Sequence, residues 1–180
     1  TTSKPQSSGF ELLITNSRYR AQATPMKGIG EKIVYRVIRD GDLIPLNKMG
    51  FSDKALNDLL WCIDQDQGLI LVTGPTGSGK STTLQRILSS IIKETQGRKH
   101  IITVEDPPEY PIRGAVQTPV SNAHTEEDRS REFQKAIKAS MRLDPDIIML
   151  SEVRDHPTAR LVVQAAMTGH QVWTTVHANS

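Results

Sequence analysis

The run Gly74-Pro75-Thr76-Gly77-Ser78-Gly79-Lys80-Ser81-Thr82 has the residue types and spacing of a phosphate cradle: a glycine, four residues, then Gly-Lys-Ser. The glycines let the backbone wrap so that its N–H groups aim inward at phosphate oxygens. Lys80 would reach the β- and γ-phosphates, and the Ser81 hydroxyl would ligate Mg²⁺. The pattern also arises by chance in glycine-rich loops, so context decides. Here the apolar run Leu69-Ile70-Leu71-Val72 precedes it, and a helical stretch runs from Lys80 to about Lys93. The chemistry requires this strand–loop–helix order, because the helix adds its positive N-terminal end. The expected ligands are ATP and Mg²⁺.

A phosphate loop needs an acidic partner to hold magnesium and orient the attacking water. Two strand-like runs end in acids. Ile147 to Leu150 leads into Ser151-Glu152, and Ile101 to Val104 leads into Glu105-Asp106. Ligands of open parallel sheets bind at the carboxyl ends of strands. Glu152 and Glu105 are therefore expected at the edge that carries the phosphate loop, with Glu152 as a metal ligand beside Ser81. The alternative is a solvated turn, the common fate of acids after a strand. Asp106, Glu109 and Asp155 read as structural or helix-capping groups. A further run, Val172 to Val176, ends at His177, and Gly169-His170 stands just before it. His177 is either a γ-phosphate sensor or a satisfied polar residue, and spacing does not separate the two. His170 belongs to the same pattern.

These residues need a scaffold, and the chain from about Leu46 alternates helix and strand patterns in the manner of a parallel α/β sheet. Ser52 caps an expected helix over 53–63, with Ala55, Leu56, Leu59, Leu60 and Ile63 on one face. Further helices are expected over 126–143 and 157–167, the latter with Pro157 in its first turn. Ahead of this core, the apolar run Phe10 to Ile14 and the β-branched run Ile33 to Ile38 flank Pro25, Gly28 and Gly30. They read as a hairpin or meander, too small to stand alone. The expected organisation is a flexible N-terminus over 1–9, the end of a β-rich lobe over 10–42, a linker over 43–50, and an α/β core over 51–180 that stops short of its last elements.

Bulk properties narrow the function. With 180 residues and 37% of them apolar, the chain can bury a full α/β core. A formal charge of +2 gives no general nucleic-acid surface, so no nucleic-acid partner is expected. The single cysteine, Cys62, excludes a disulfide framework or a cysteine zinc cluster within this chain and fits a reducing compartment. No apolar run approaches the roughly 18–20 residues of a membrane span.

Four segments in order resemble the marks of one family. Gly74 to Thr82 is similar to its Walker A, and Thr103-Val104-Glu105-Asp106-Pro107-Pro108-Glu109-Tyr110 to its aspartate box. Leu143 to Asp155 resembles its Walker B, and Thr168-Gly169-His170 through Val176-His177-Ala178-Asn179 its histidine box. These are the boxes of the secretion traffic ATPases, in the branch that drives type IV pilus assembly and type II secretion. The resemblance extends from Arg18 onward. It implies a RecA-like P-loop core and a toroidal homo-hexamer with two lobes per subunit. It also implies a cytoplasmic motor held at the bacterial inner membrane by a platform protein. Arg20 and Arg36, with Arg18 behind them, match arginines that help hold the nucleotide phosphates in that family; the alternative is a solvated strand arginine. Three departures stand out: Ser151 in place of a usual glycine, Lys138 in place of a usual arginine, and no four-cysteine zinc motif. The Pro107-Pro108 and Thr174-Thr175-Val176-His177 forms are also similar to the type IVB pilus branch. Retraction motors and type IV secretion ATPases share the same boxes. A module that binds nucleotide without turnover is the alternative of another class.

Overall fold

A computed structural model describes the backbone over 6–12, 17–26, 30–39, 44–120 and 125–177, with side chains described over most of that range. The chain divides into two compact units, Thr1–Asp42 and Leu43–Ser180.

The first unit is a three-stranded antiparallel meander of β1 (Gln6–Leu12), β2 (Ser17–Met26) and β3 (Gly30–Arg39) in the order β1-β2-β3. Two expectations change. Gln6 to Gly9, placed by their polarity in a flexible N-terminus, are paired residue by residue with Arg20 to Ala23. Strand pairing is a backbone property, and the partner strand supplies it where the side chains give no signal. Pro25, expected in a turn, is the penultimate residue of β2 opposite Glu31, past the end of the pairing with β1.

The second unit is a five-stranded, wholly parallel sheet in the order β4-β8-β7-β5-β6, built from β4 (Gly68–Gly74), β5 (Ile101–Glu105), β6 (Val116–Pro119), β7 (Ile147–Leu150) and β8 (Gln171–His177). Helix α1 (Asp53–Ile63) precedes the sheet; parallel strands need crossovers, and α2 (Lys80–Glu94), α3 (Glu126–Ser140) and α4 (His156–Met167) supply all but the one between β5 and β6. Leu84, Ile87, Leu88 and Ile91 of α2 cover one sheet face with Ile101, Ile147, Met149 and Trp173. Phe133 and Ile137 of α3, with Val162 and Ala165 of α4, cover the other with Val104, Ile148, Leu150 and Val172. The alternation of Ile147/Met149 against Ile148/Leu150 is the period-2 split of a strand buried on both faces.

The ends of α1 and α4 are set by their caps. Ser52 accepts the Ala55 N–H at 3.3 Å, and Asp155 accepts the Thr158 N–H at 2.7 Å. The capping role expected for Asp155 is therefore met. Burial pushes its carboxyl up, but hydrogen bonds from Ser130 and Thr158, with His156 nearby, outweigh that and hold it below its ordinary value. On α1, Leu60 is exposed and Cys62 packs on the core in its place. Leu46, expected in a linker, is buried in the core next to α2. Helix α3 ends at Ser140 rather than Leu143: the N–H groups of Arg142 and Leu143 turn to Ala139 O and Ser140 O, three residues back, and Asp144 then takes a positive φ of 52°. Among the described residues, no helix is long and apolar enough to cross a membrane.

Candidate functional site

Strand β4 ends at Gly74 and α2 begins at Lys80, so the phosphate-loop sequence is the strand-to-helix turn at the carboxyl edge of the sheet. Gly74 has φ 155°, and a Cβ there would come within 2.7 Å of Ser78 Oγ. Gly77 and Gly79 have φ of 81° and 90°, which a side chain would strain. The first turn of α2 closes with Thr83 N–H donating to Gly79 O at 2.8 Å. The N–H groups of Lys80, Ser81 and Thr82 therefore lie outside the helix's own bonding, at its positive end. The Lys80 ammonium folds over the loop, donating to Gly74 O and Pro75 O at 2.9 Å each. Lys80 is 9% exposed, and an ammonium carries three protons, so one remains beyond the two loop carbonyls. The loop thus sets one cation beside the unbonded N–H groups that open α2.

The register carries the other strand ends to this edge. Leu71 of β4 lies level with Thr174 of β8, which lies level with Leu150 of β7, which lies level with Val104 of β5. Glu152, two residues past β7, is two strand spacings from β4, about 10 Å; Glu105, at the end of β5, is three, about 14 Å. The sheet thus brings Glu152 nearer the loop than Glu105.

Their surroundings differ. The carboxylate of Glu152 is paired with the guanidinium of Arg154, which also lies 3.8 Å from Glu126. Arg129 of α3 sits 3.0 Å from Asp106 and 3.2 Å from Glu126. The acids after β5 and β7 are thereby embedded in alternating charge, and Asp106 is a structural ion-pair partner, as expected. Glu105 is 7% exposed. Its Oε1 accepts the Thr103 hydroxyl at 2.7 Å and the Gln117 amide at 2.9 Å. Burial raises its carboxyl above the ordinary range and Glu109 adds to the rise, while the bonds from Thr103, Gln117 and the Glu109 backbone oppose it.

The Ser151 position needs no glycine. Positive φ at non-glycine residues occurs, among the described residues, at Gln96 and Asp144. Ser151 is held through its backbone: its N–H donates to Val104 O at 3.0 Å and its carbonyl accepts the Thr175 hydroxyl at 2.7 Å. Lys138 is solvent-exposed in the last turn of α3, where a cation suits the helix dipole.

The histidines part company. His177 pairs in register with Gly74, so its backbone adjoins the start of the phosphate loop. Its side chain lies outside the described residues, as do those of Arg18, Arg20 and Arg36. His170 stands before the first residue of β8, about 23 Å away along a strand that rises about 3.3 Å per residue. There its Nδ1 lies 3.0 Å from Ala165 O, closing the end of α4. The structure does not bring His170 to the loop.

Two amides, one half-buried and one buried, escaped the sequence reading. Gln117 is the direct partner of Thr103 across β5 and β6. Gln171 is 1% exposed, donates to Cys62 O, Ile63 O and Gln65 O at the end of α1, and accepts the Trp173 indole N–H. Neither carries a periodicity or motif signal; only strand register identifies them.

Comparison with known proteins agrees with this geometry. The family model described as "Type II/IV secretion system protein" matches residues 2–180. The type II secretion system protein E of Aeromonas hydrophila is 38% identical over 178 residues, covering 98% of this chain and 34% of that protein. A crystal structure of the pilus retraction motor PilT with bound ADP superposes with a TM-score of 0.77 at 33% identity, covering 98% of this chain and 48% of PilT. The Legionella pneumophila ATPase DotB superposes with a TM-score of 0.77 at 26% identity over the same shares. The chain thus spans about a third of the curated relative and about half of the solved structures.

Proposed function

The chain belongs to the type II/IV secretion system protein family, and from that premise we propose that it is the ATP-hydrolysing part of a motor that powers assembly of a type IV pilus or a type II secretion pseudopilus. The observation that carries the proposal is the phosphate loop itself: a glycine-shaped turn, the start of α2 and the Lys80 ammonium lie together at one strand end. In this reading Gly74 to Gly79 and Thr82 cradle the phosphates of ATP. Lys80 neutralises the β- and γ-phosphate oxygens. Ser81 and Glu152 are the residues that would hold Mg²⁺. Bound there, the metal supplies charge neutralisation at the phosphates.

Glu105 and Glu152 divide the acid work by environment. A carboxylate raised by burial is the better proton acceptor, which favours Glu105 as the group that orients the attacking water and takes its proton. The water oxygen then bonds the γ-phosphorus while the bond to the β–γ bridging oxygen breaks, and ADP leaves with that electron pair. His177, level with Gly74, is the candidate γ-phosphate sensor. Arg20 and Arg36 are the candidate clamps from the first unit. The working form in this proposal is a homo-hexameric ring at the cytoplasmic face of the inner membrane. It passes force to a platform protein there.

The test is ATP binding and turnover by the full-length protein. Lys80→Ala should abolish detectable ATP binding by calorimetry. Glu152→Gln should keep binding and lower turnover by about 10²-fold or more, the usual cost of one such electrostatic contact. Wild-type affinity in Lys80→Ala would remove the phosphate-loop assignment. The likeness to PilT makes retraction the second reading, and pilus extension against retraction in a complemented deletion strain separates the two.

A further inference from the structure

We infer that Thr103 and Gln117 form a positioning pair that commits one oxygen of Glu105 and leaves the other to act on water. The inference rests on the reading of Glu105 as the acid that meets the attacking water.

Residues i and i+2 of a strand share a face, so Thr103 and Glu105 stand on the same side of β5. The register sets Gln117 of β6 opposite Thr103, one diagonal step from Glu105. Both side chains use that placement on the same atom, Glu105 Oε1, at 2.7 and 2.9 Å. A carboxylate oxygen has two lone pairs. Two donors on Oε1 occupy both, so the Glu109 backbone bond to this carboxyl falls on Oε2, and proton acceptance is left to the second lone pair of Oε2.

Gln117 is itself held at three points. Its Nε2 also donates to Tyr110 O at 2.8 Å, and its Oε1 accepts the Ile112 N–H at 2.9 Å. Those contacts fix which end of the amide faces Glu105, since a flipped amide would set oxygen against carboxylate and oxygen against carbonyl. They also tie the loop after β5 to the acid. Thr103 is fully buried, so its hydroxyl has no water to bond instead.

The charges around Glu105 do not replace this pair. Glu109, in the loop after β5, repels it with its own carboxylate while its backbone bonds it. On the neighbouring strands Pro119 of β6 lies level with it, and Ser151 follows β7. From α3, Arg129 is engaged by Asp106 and Glu126, and beyond β7 the Glu152 carboxylate is paired with Arg154. Neutral donors must therefore orient the carboxylate and temper its basicity.

The experiment is the single-turnover hydrolysis rate of the full-length protein against pH, with ATP affinity and melting temperature measured beside it. Glu105→Gln is the reference. Gln117→Met removes the amide at nearly constant shape, and Thr103→Val removes the hydroxyl without touching the loop. Each should move the acid limb of the profile upward by about one pH unit, because a hydrogen bond to a charged group is worth about that much. Each should leave ATP affinity within about twofold and add no loss when combined with Glu105→Gln. A merely structural role would lower the melting temperature and leave the limb in place. If Glu105→Gln turns over at the wild-type rate, the reading of Glu105 fails. If Glu105→Gln is inactive while Thr103→Val, and Gln117→Met where it folds, keep the wild-type limb, that reading stands and the positioning pair is overturned.

Discussion

Glu105 and Lys80 are both ionisable groups buried at one sheet edge, and they bear differently on stability. Lys80 is compensated within its own loop by the carbonyls of Gly74 and Pro75. Glu105 is under-compensated: burial raises its carboxyl despite bonds from Thr103 and Gln117. The folded state therefore holds a proton on Glu105 more tightly than the unfolded chain does. Stability from this group is greatest at low pH and is lost as pH rises from the ordinary carboxylate value through the raised folded value. Glu105→Gln keeps an oxygen for both donors and removes the charge. It should raise the melting temperature at pH 8, and the gain should disappear near pH 4. A melting temperature unchanged by the substitution at both pH values would show that the carboxylate carries no such cost. A functional acid held at a cost to the fold is the usual trade between activity and stability.

The elements that position the site were legible where their signal is local. Ser52 announces α1, Asp155 and Pro157 announce α4, and the glycines of the phosphate loop announce the turn between β4 and α2, because caps and turns are decided by neighbouring residues. Strand β6 was not legible: Val116-Gln117-Thr118-Pro119 is short, ends in proline and has no apolar alternation. Its existence depends on β5 beside it, a long-range fact. Gln171 is the same kind of case, a polar residue opening an apolar strand whose partners lie more than 100 residues earlier. It satisfies carbonyls at the end of α1 and the indole N–H of Trp173 together. Gln171→Leu keeps the volume and orphans those groups. At about 1–3 kcal/mol for each buried group left unsatisfied, it should destabilise the fold by at least that much in urea unfolding, with ATP affinity of the folded fraction unchanged. A loss under about 0.5 kcal/mol, the range of ordinary surface substitutions, would mean that water takes over its partners.

At the scale of the whole molecule, every site residue whose side chain is described lies in the unit Leu43–Ser180, whereas the two arginines expected at the phosphates lie in Thr1–Asp42. Within the first unit the register sets Arg20 directly opposite Arg36 on β2 and β3. A phosphate clamp is the role proposed for both. The proposal separates binding from turnover. ATP binding rests on the phosphate loop, so Arg20→Ala and Arg36→Ala should leave ATP affinity in full-length rings within a few-fold. Charge that develops on the transferring phosphoryl group is what a guanidinium stabilises, and such a residue is worth about 10³-fold or more in turnover. Turnover should therefore fall by at least tenfold in each variant, with ring assembly checked by light scattering. Wild-type turnover in both, in intact rings, would leave hydrolysis to the second unit alone and take away the clamp role proposed for the first.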